Sequence, residues 1–383
     1  MKKLKLLIHI IFFSKKFFKK PKKVQILLFD NIHQEIFENF FKNRSFDGFD
    51  IRFNEINLII LIKAIFHKGF RNILYNYSVQ YIKAVDPEIV INFLDTRIDF
   101  YKLKKNFKKI KFISIQFAYR ANKYPDIFQT LSQKKIGNLK CDYLFCFSKY
   151  VGKEYSKFID TNIISLGSFR NNNYFPKFKK QSYKLKRRIC FISQFRRQNS
   201  DRGLEQINKI DREEFYLPEK ISLPIIQKLS VENNYEFGII GCSKNNDNLE
   251  IDFFKGILKN NNFNFLKLKN DDDSYNNCYE SEILVFIDST LGYESISSGK
   301  KAISINSRKP YFDVNTGFGW PYLNDLKGDY WTNEHTLSEI KRIFSYIIKV
   351  SKNEWDTEVK KFRENILNFD ENNSQLLKIL KPK

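Results

Sequence analysis

Within residues 284–306, LVFIDSTLGYESISSGKKAISIN, the side chains able to do chemistry stand close together: Asp288, Ser289, Thr290 and Glu294, with Gly292 between them. Asp, Ser and Thr open helices because their side-chain oxygens accept from a free backbone N–H. Here they follow an apolar run at 284–287, the signature of a strand buried on both faces. A short helix carrying Leu291, Tyr293 and Ile296 is expected next, stopped by Gly299, before a second apolar strand at 302–305. Strand, polar turn, helix and strand make half of a parallel α/β domain. At such a turn the unpaired N–H groups and the positive end of the helix dipole favour phosphate. Gly292 leaves room for a close approach, and Ser289 and Thr290 add hydroxyl donors. A carboxylate repels phosphate, so Glu294 fits one step away, on sugar or ribose hydroxyls. The plain alternative is a capped helix in which Glu294 merely complements the dipole.

A site of this kind needs a scaffold. At 383 residues, 42% hydrophobic and 16% aromatic, the chain has material for two cored domains and is not of the disordered class. In the first half, apolar strands are expected at 24–30, 88–94, 110–115, 143–147 and 163–166, with an alternating strand near 49–56. Helical periodicity falls at 32–41, 58–66, 73–85, 96–107 and 148–158. Residues 171–188 are polar, Lys-rich and without apolar period, so 173–188 reads as a linker. The rhythm resumes with strands at 189–192, 237–240 and 263–268 and helices at 223–232, 249–258 and 274–280. Two amphipathic helices, 337–351 and 354–367, follow the 284–306 motif. The expected fold class is α/β, with two doubly wound Rossmann-like domains facing a cleft. They cover 24–172 and 189–335, with C-terminal helices over 336–383.

In open parallel sheets, ligands bind beyond the carboxyl ends of the strands. That rule collects Asp95, Gln116, Tyr119, Arg120, Ser148, Ser168 and Arg170 from the first half. From the second it collects Ser193, Arg196, Gly241, Ser243 and Lys244 beside Asp288, Ser289, Thr290, Gly292 and Glu294, a set rich in Ser, Gly and cations as a nucleotide phosphate requires. Arg196 or Lys244 would neutralise that phosphate as a leaving group departs. Asp95 is the candidate base for an acceptor hydroxyl, with a helix cap before 96–107 as its plain alternative. Gln116, Tyr119, Arg120, Ser168 and Arg170 fall to the wall of a second substrate, which becomes the acceptor side under the resemblance given below.

Composition narrows the partners. Sixty-six basic residues against 43 acidic ones, net +23, favour anionic surfaces or substrates. Residues 1–23 place Lys around two apolar patches, 6–13 and 17–18, without an acidic residue. The stretch is too short to span a bilayer and suits an interfacial helix on anionic headgroups, or else a solvated basic leader. The charge is spread along the chain and no nucleic-acid module is visible, so no nucleic-acid partner is expected. Cys141, Cys146, Cys190, Cys242 and Cys278 are scattered without a CxxC pair, and His9, His33, His67 and His335 lie far apart. Neither a disulfide scaffold nor a zinc site is expected, and the cysteines read as buried thiols in a reducing cytoplasm.

Three stretches carry a family resemblance: CDYLFCFSKYVGKEY (141–155), ISLGSFRNN (164–172) and DSTLGYESISSGKKAISIN (288–306). They resemble the GT-B glycosyltransferases of bacterial surface-carbohydrate (capsule, O-antigen, lipopolysaccharide) biosynthesis. That group is distantly similar to glycerophosphotransferases and to Kdo- or sialic-acid-transferring enzymes. The resemblance implies a nucleotide-sugar donor on the C-terminal domain, acting as co-substrate with no separate cofactor and no metal. It implies a glycan or lipid-linked glycan acceptor on the N-terminal domain. Together with the basic leader and the thiol cysteines, the expected location is cytoplasmic, peripheral on the inner face of the cytoplasmic membrane. Where relatives often read Gln-His-Gly, this chain has Gln116, Phe117 and Ala118. The base is then another residue, or the activity is altered or lost. A sugar-nucleotide epimerase shares the fold; a degenerate homologue and an anionic-polymer-binding protein are the remaining readings.

Overall fold

The structure is a computed structural model that describes residues 12–31, 34–38, 40–41, 44–68, 72–120, 127–134, 137–180, 184–195, 212–242, 248–259, 262–270, 272–308, 317–323, 325 and 327–381. The chain divides into two compact units. The first comprises Met1–Phe117, Lys135–Cys146 and Tyr155–Ile164; the second comprises Ala118–Lys134, Phe147–Glu154 and Ser165–Lys383.

In the first unit the strands are β1 (Lys15–Phe17), β2 (Ile26–Leu28), β3 (Phe46–Gly48), β4 (Glu55–Asn57), β5 (Ile89–Asn92), β6 (Lys111–Ile115), β7 (Leu139–Cys146) and β8 (Ile159–Ser165). Six of them form one sheet in the order β3-β2-β5-β6-β7-β8, and β1 pairs separately with β4. The pairs from β3 to β7 are parallel. Every residue of β2 and β5 is buried, as expected of strands covered on both faces. The alternating strand read near 49–56 is instead a turn between β3 and β4. Asp50 builds it by accepting from the backbone N–H groups of Arg52 (2.7 Å), Asn54 (2.8 Å) and Glu55 (3.1 Å). A second correction concerns the leader. Lys15–Phe17 is a strand parallel to β4, so an interfacial helix does not run through it, while 1–11 lies outside the described residues.

The second unit holds β9 (Lys186–Ile192), β10 (Glu236–Ile240), β11 (Asn264–Leu266), β12 (Ser281–Phe286), β13 (Lys301–Ile305), β14 (Lys327–Gly328) and β15 (Trp331–Thr332). Their order is β11-β10-β9-β12-β13-β15-β14, all pairs parallel except β14 with β15. β9 and β12 sit in the middle, where Ile189 to Phe191 and Ile283 to Ile287 are almost wholly buried. Helices Leu217–Glu232, Asn248–Leu258, Asp273–Glu280 and Thr290–Ser297 connect them. Residues 173–188, read as a linker, contain most of a helix, Phe169–Lys180, and the start of β9.

The C-terminal segment explains why residues from 165 onward belong to the second unit. After helices Leu337–Lys349 and Lys352–Asn365, each opened by a Thr or Ser cap, the chain returns to residues 165–172. Asn368 Nδ2 donates to Ser165 O (2.7 Å), and Asn373 Nδ2 donates to Phe169 O (3.0 Å). Asn172 Nδ2 in turn donates to Asn373 Oδ1 (3.0 Å). Gly167 has φ +81°, and a Cβ there would meet Asn368 O at 1.9 Å, so no other residue fits this crossing. Among the described residues no helix is long and apolar enough to cross a membrane.

Candidate functional site

The 288–294 motif lies where the sequence placed it, at the carboxyl end of a central strand. Ser289 is the N-cap of the Thr290–Ser297 helix, and Gly299 takes φ +95° just past its end. The Ser289 hydroxyl makes no capping hydrogen bond and is half-buried, so it stands available at the positive end of the helix. Thr290 Oγ1 accepts from the backbone N–H of Tyr119 (3.0 Å). The Tyr119 ring stacks on Tyr293 with centroids 3.7 Å apart, and its hydroxyl donates to Trp320 O (2.7 Å). Tyr119, expected on the acceptor side, thus packs against the Thr290–Ser297 helix within the second unit. Arg120 follows it, half-buried, in the same unit.

Three motif residues have roles that differ from those expected. Glu294 does not point to a sugar hydroxyl. It is 3% exposed, and both carboxylate oxygens accept from protein hydroxyls, Ser168 Oγ at one and Tyr275 at the other (2.8 Å). Burial raises its carboxyl above the usual range, while Ser168, Arg170 and Tyr275 work against that rise. Ser168 and Arg170, also read as acceptor-side residues, therefore flank Glu294 from the Phe169–Lys180 end. Asn171 extends the same buried network, donating to Glu294 O (3.2 Å) and Ser298 Oγ (2.8 Å). Gly292 is small for packing rather than for a ligand, since a Cβ there would sit 2.2 Å from the Phe286 ring. Asp288 is held by Arg308, whose Nη1 donates to Asp288 Oδ1 (2.6 Å).

Arg308 is the residue that sequence reasoning missed. It is 1% exposed, just beyond β13, and it collects partners from four other places in the chain. Besides Asp288 it donates to Gln194 Oε1 (3.2 Å), Phe215 O (3.2 Å) and Glu219 Oε1, and it lies over the Phe215 ring (4.1 Å). Gln194 Oε1 also accepts from Asp288 N (3.3 Å). The ends of β9, β12 and β13 are thereby fixed by one buried cation. Next to it, Ser193 donates to Glu250 Oε1 (2.5 Å), which also accepts from Cys242 N (3.1 Å). Ser193 and Cys242 thus hold the strand ends to buried Glu250, while Gly241 donates its N–H to Leu266 O (3.1 Å). Arg196, Ser243 and Lys244 lie outside the described residues.

Asp95 and Gln116, in the first unit, are interior residues. Asp95 is 0% exposed; it accepts from Phe117 N at Oδ1 (3.0 Å) and from the Tyr155 hydroxyl at Oδ2. Both oxygens are thus engaged and shielded, and the expected base role is not supported by this geometry. Gln116 is also buried and donates its backbone N–H to Phe145 O (2.9 Å). Four of the five cysteines are buried, where desolvation raises their pKa; Cys242 is the exposed one, against expectation. Among the described residues no cluster of His, Cys, Asp and Glu could hold a metal ion.

Two Rossmann-like α/β units of this kind define a GT-B-type fold, and solved structures agree. The chain is similar to the UDP-GlcNAc 2-epimerase of Methanocaldococcus jannaschii, solved with UDP-GlcNAc and UDP, at 12% identity and TM-score 0.54, over 93% of this chain and 98% of that one. It is similar to the Neisseria meningitidis UDP-GlcNAc 2-epimerase bound to UDP-GlcNAc at 12% identity and TM-score 0.52, over 92% and 98%. The wall teichoic acid polymerase TagF matches at 12% identity and TM-score 0.51, over 99% and 95%. A comparison with curated protein sequences returns no match. Residues 113–383 match the model of a family described as "putative O-antigen biosynthesis protein". The chain belongs to this family, which places it in surface-carbohydrate biosynthesis.

Proposed function

We propose that the chain is a glycosyltransferase that moves a sugar from a nucleotide-sugar donor to a surface glycan, with the donor phosphate seated at the start of the Thr290–Ser297 helix. The observation that carries this reading is the uncommitted Ser289 hydroxyl at that helix start, beyond the central strand β12. Family membership supports the sugar chemistry, and two solved structures of similar fold hold UDP-GlcNAc. In this reading the helix N-terminus stabilises charge that develops on the leaving nucleotide. Arg308 acts indirectly, by fixing Asp288 and so the path of the turn. The nucleotide-sugar is the co-substrate and no metal takes part, so EDTA is expected to leave transfer unchanged. The acceptor is a glycan or lipid-linked glycan, met at the inner face of the cytoplasmic membrane.

The test is nucleotide release from a panel of sugar nucleotides, with and without membranes from a glycan-producing cell. Release that requires the membrane fraction supports transfer. Isomerisation of the sugar nucleotide without any acceptor would replace this reading with an epimerase.

A further inference from the structure

We propose that β1 with its flanks and the outer face of the Leu58–Lys68 helix form one surface that docks on an anionic lipid bilayer. This deepens the membrane placement proposed above by naming the surface, and it draws nothing from the donor site.

Large apolar side chains are exposed here in a way a soluble face does not require. Phe12 is 72% exposed, Phe18 67%, Ile62 47% and Phe66 87%. On the helix, Ile62 and Phe66 are one turn apart and opposite the buried Ile60 and Ala64, so they form an outward stripe. The pairing of β1 with β4 brings the two segments side by side. Phe17 stands opposite Asn57, the residue directly before the helix, and Asn57 Nδ2 donates to Lys19 O (2.7 Å). Phe18 therefore emerges beside the helix start.

Charge selects the occupant. Lys16, Lys19, Lys20, Lys22 and Lys63 are exposed in the same two segments, and residues 12–23 contain no acidic side chain. Glu55, beside Lys15 at 3.4 Å, is the neighbouring carboxylate on β4. Phenylalanines interleaved with lysines match a surface that is apolar beneath and anionic on top, namely acyl chains under phosphate headgroups. A water-facing site for a charged polymer alone would have no use for exposed Phe66 and Phe18.

The experiment is co-sedimentation of the full chain, without nucleotide, with vesicles of phosphatidylcholine or of phosphatidylcholine with an equal part of phosphatidylglycerol. The wild type is expected to pellet with the phosphatidylglycerol vesicles only. Phe18→Ser with Phe66→Ser should lower partitioning by about tenfold per ring, since each burial of a phenylalanine is worth roughly that factor. Both rings are exposed, so the variant should keep the wild-type melting temperature. Equal pelleting of wild type and the Phe variant overturns the proposal, and so does loss only in Lys16→Glu with Lys63→Glu, which would indicate general attraction to polyanions, nucleic acid included. A wild-type dimer that the Phe variant dissolves would assign the patch to a second copy and also overturn it. Because no nucleotide is present, failure here leaves the donor reading intact, and failure of the donor reading leaves this result standing.

Discussion

Arg308 carries a full charge at 1% exposure, and its removal would leave the buried Glu219 and the partly buried Asp288 without their cation. Breaking a buried pair in this way costs about 3–5 kcal/mol. Arg308→Met is therefore expected to lower the urea midpoint by that equivalent, while an exposed cation replaced in the same way would change it little. Glu219 gives the pH counterpart. Burial raises its carboxyl from the ordinary 4.5 to about 7, although Arg308 pulls it down. The folded state then holds a proton that the unfolded chain releases between those values. Its contribution to stability is full below pH 4.5 and is lost as pH rises through about 7, so Glu219→Gln should flatten that part of the stability profile. Gly292→Ala makes a third residue-level case. The new methyl would fall on the Phe286 ring, and overpacking of this kind costs about 1–3 kcal/mol. Pairing it with Phe286→Leu should recover much of the loss in a double-mutant cycle. None of these contacts is visible in sequence. Arg308 finds Asp288, Glu219 and Gln194 at separations of 20, 89 and 114 residues, and a lone Arg after an apolar strand reads like any surface charge.

At the scale of elements, the apolar strands were legible because parallel strands buried on both faces leave unbroken Val, Ile, Leu and Phe runs. β5, β6, β12 and β13 fall inside or across the stretches read for them. The Thr290–Ser297 helix was legible from its cap residues and from Gly299. The uses of its side chains were not. Ser295 bonds back to Leu291 O (2.7 Å), Ser298 joins Asn171, and Glu294 faces Ser168 and Tyr275 rather than a ligand. With Glu294 on sugar or ribose hydroxyls, Glu294→Ala would weaken donor binding and leave the fold intact. The structure predicts instead a stability loss of about 1–3 kcal/mol for each hydroxyl left unpaired, read by denaturant unfolding. Retained stability with lost nucleotide binding would return Glu294 to the site. β1 escaped the sequence because Lys15 and Lys16 face outward, and the partner that makes them a strand lies forty residues away in β4.

For the whole molecule, the linear order of domains is not the order of compact units. Residues 118–134, 147–154 and 165–180 join the second unit through contacts such as Tyr119 with Thr290 and Asn368 with Ser165, which only the folded chain reveals. The net charge of +23, by contrast, is legible from composition alone. The central claim is that the Thr290–Ser297 helix start seats a donor phosphate. The measurement that tests it most directly is a thermal-shift panel with CMP, CDP, UDP, GDP and their sugars, run on the wild type and on Ser289→Ala. Ser289 makes no capping bond, so the unliganded melting temperature should be the same in both. One nucleotide class at a hundred times its dissociation constant should stabilise the wild type by about 2.7 kcal/mol and the variant by clearly less. No shift with any nucleotide, or a shift of equal size in the variant, would contradict the claim.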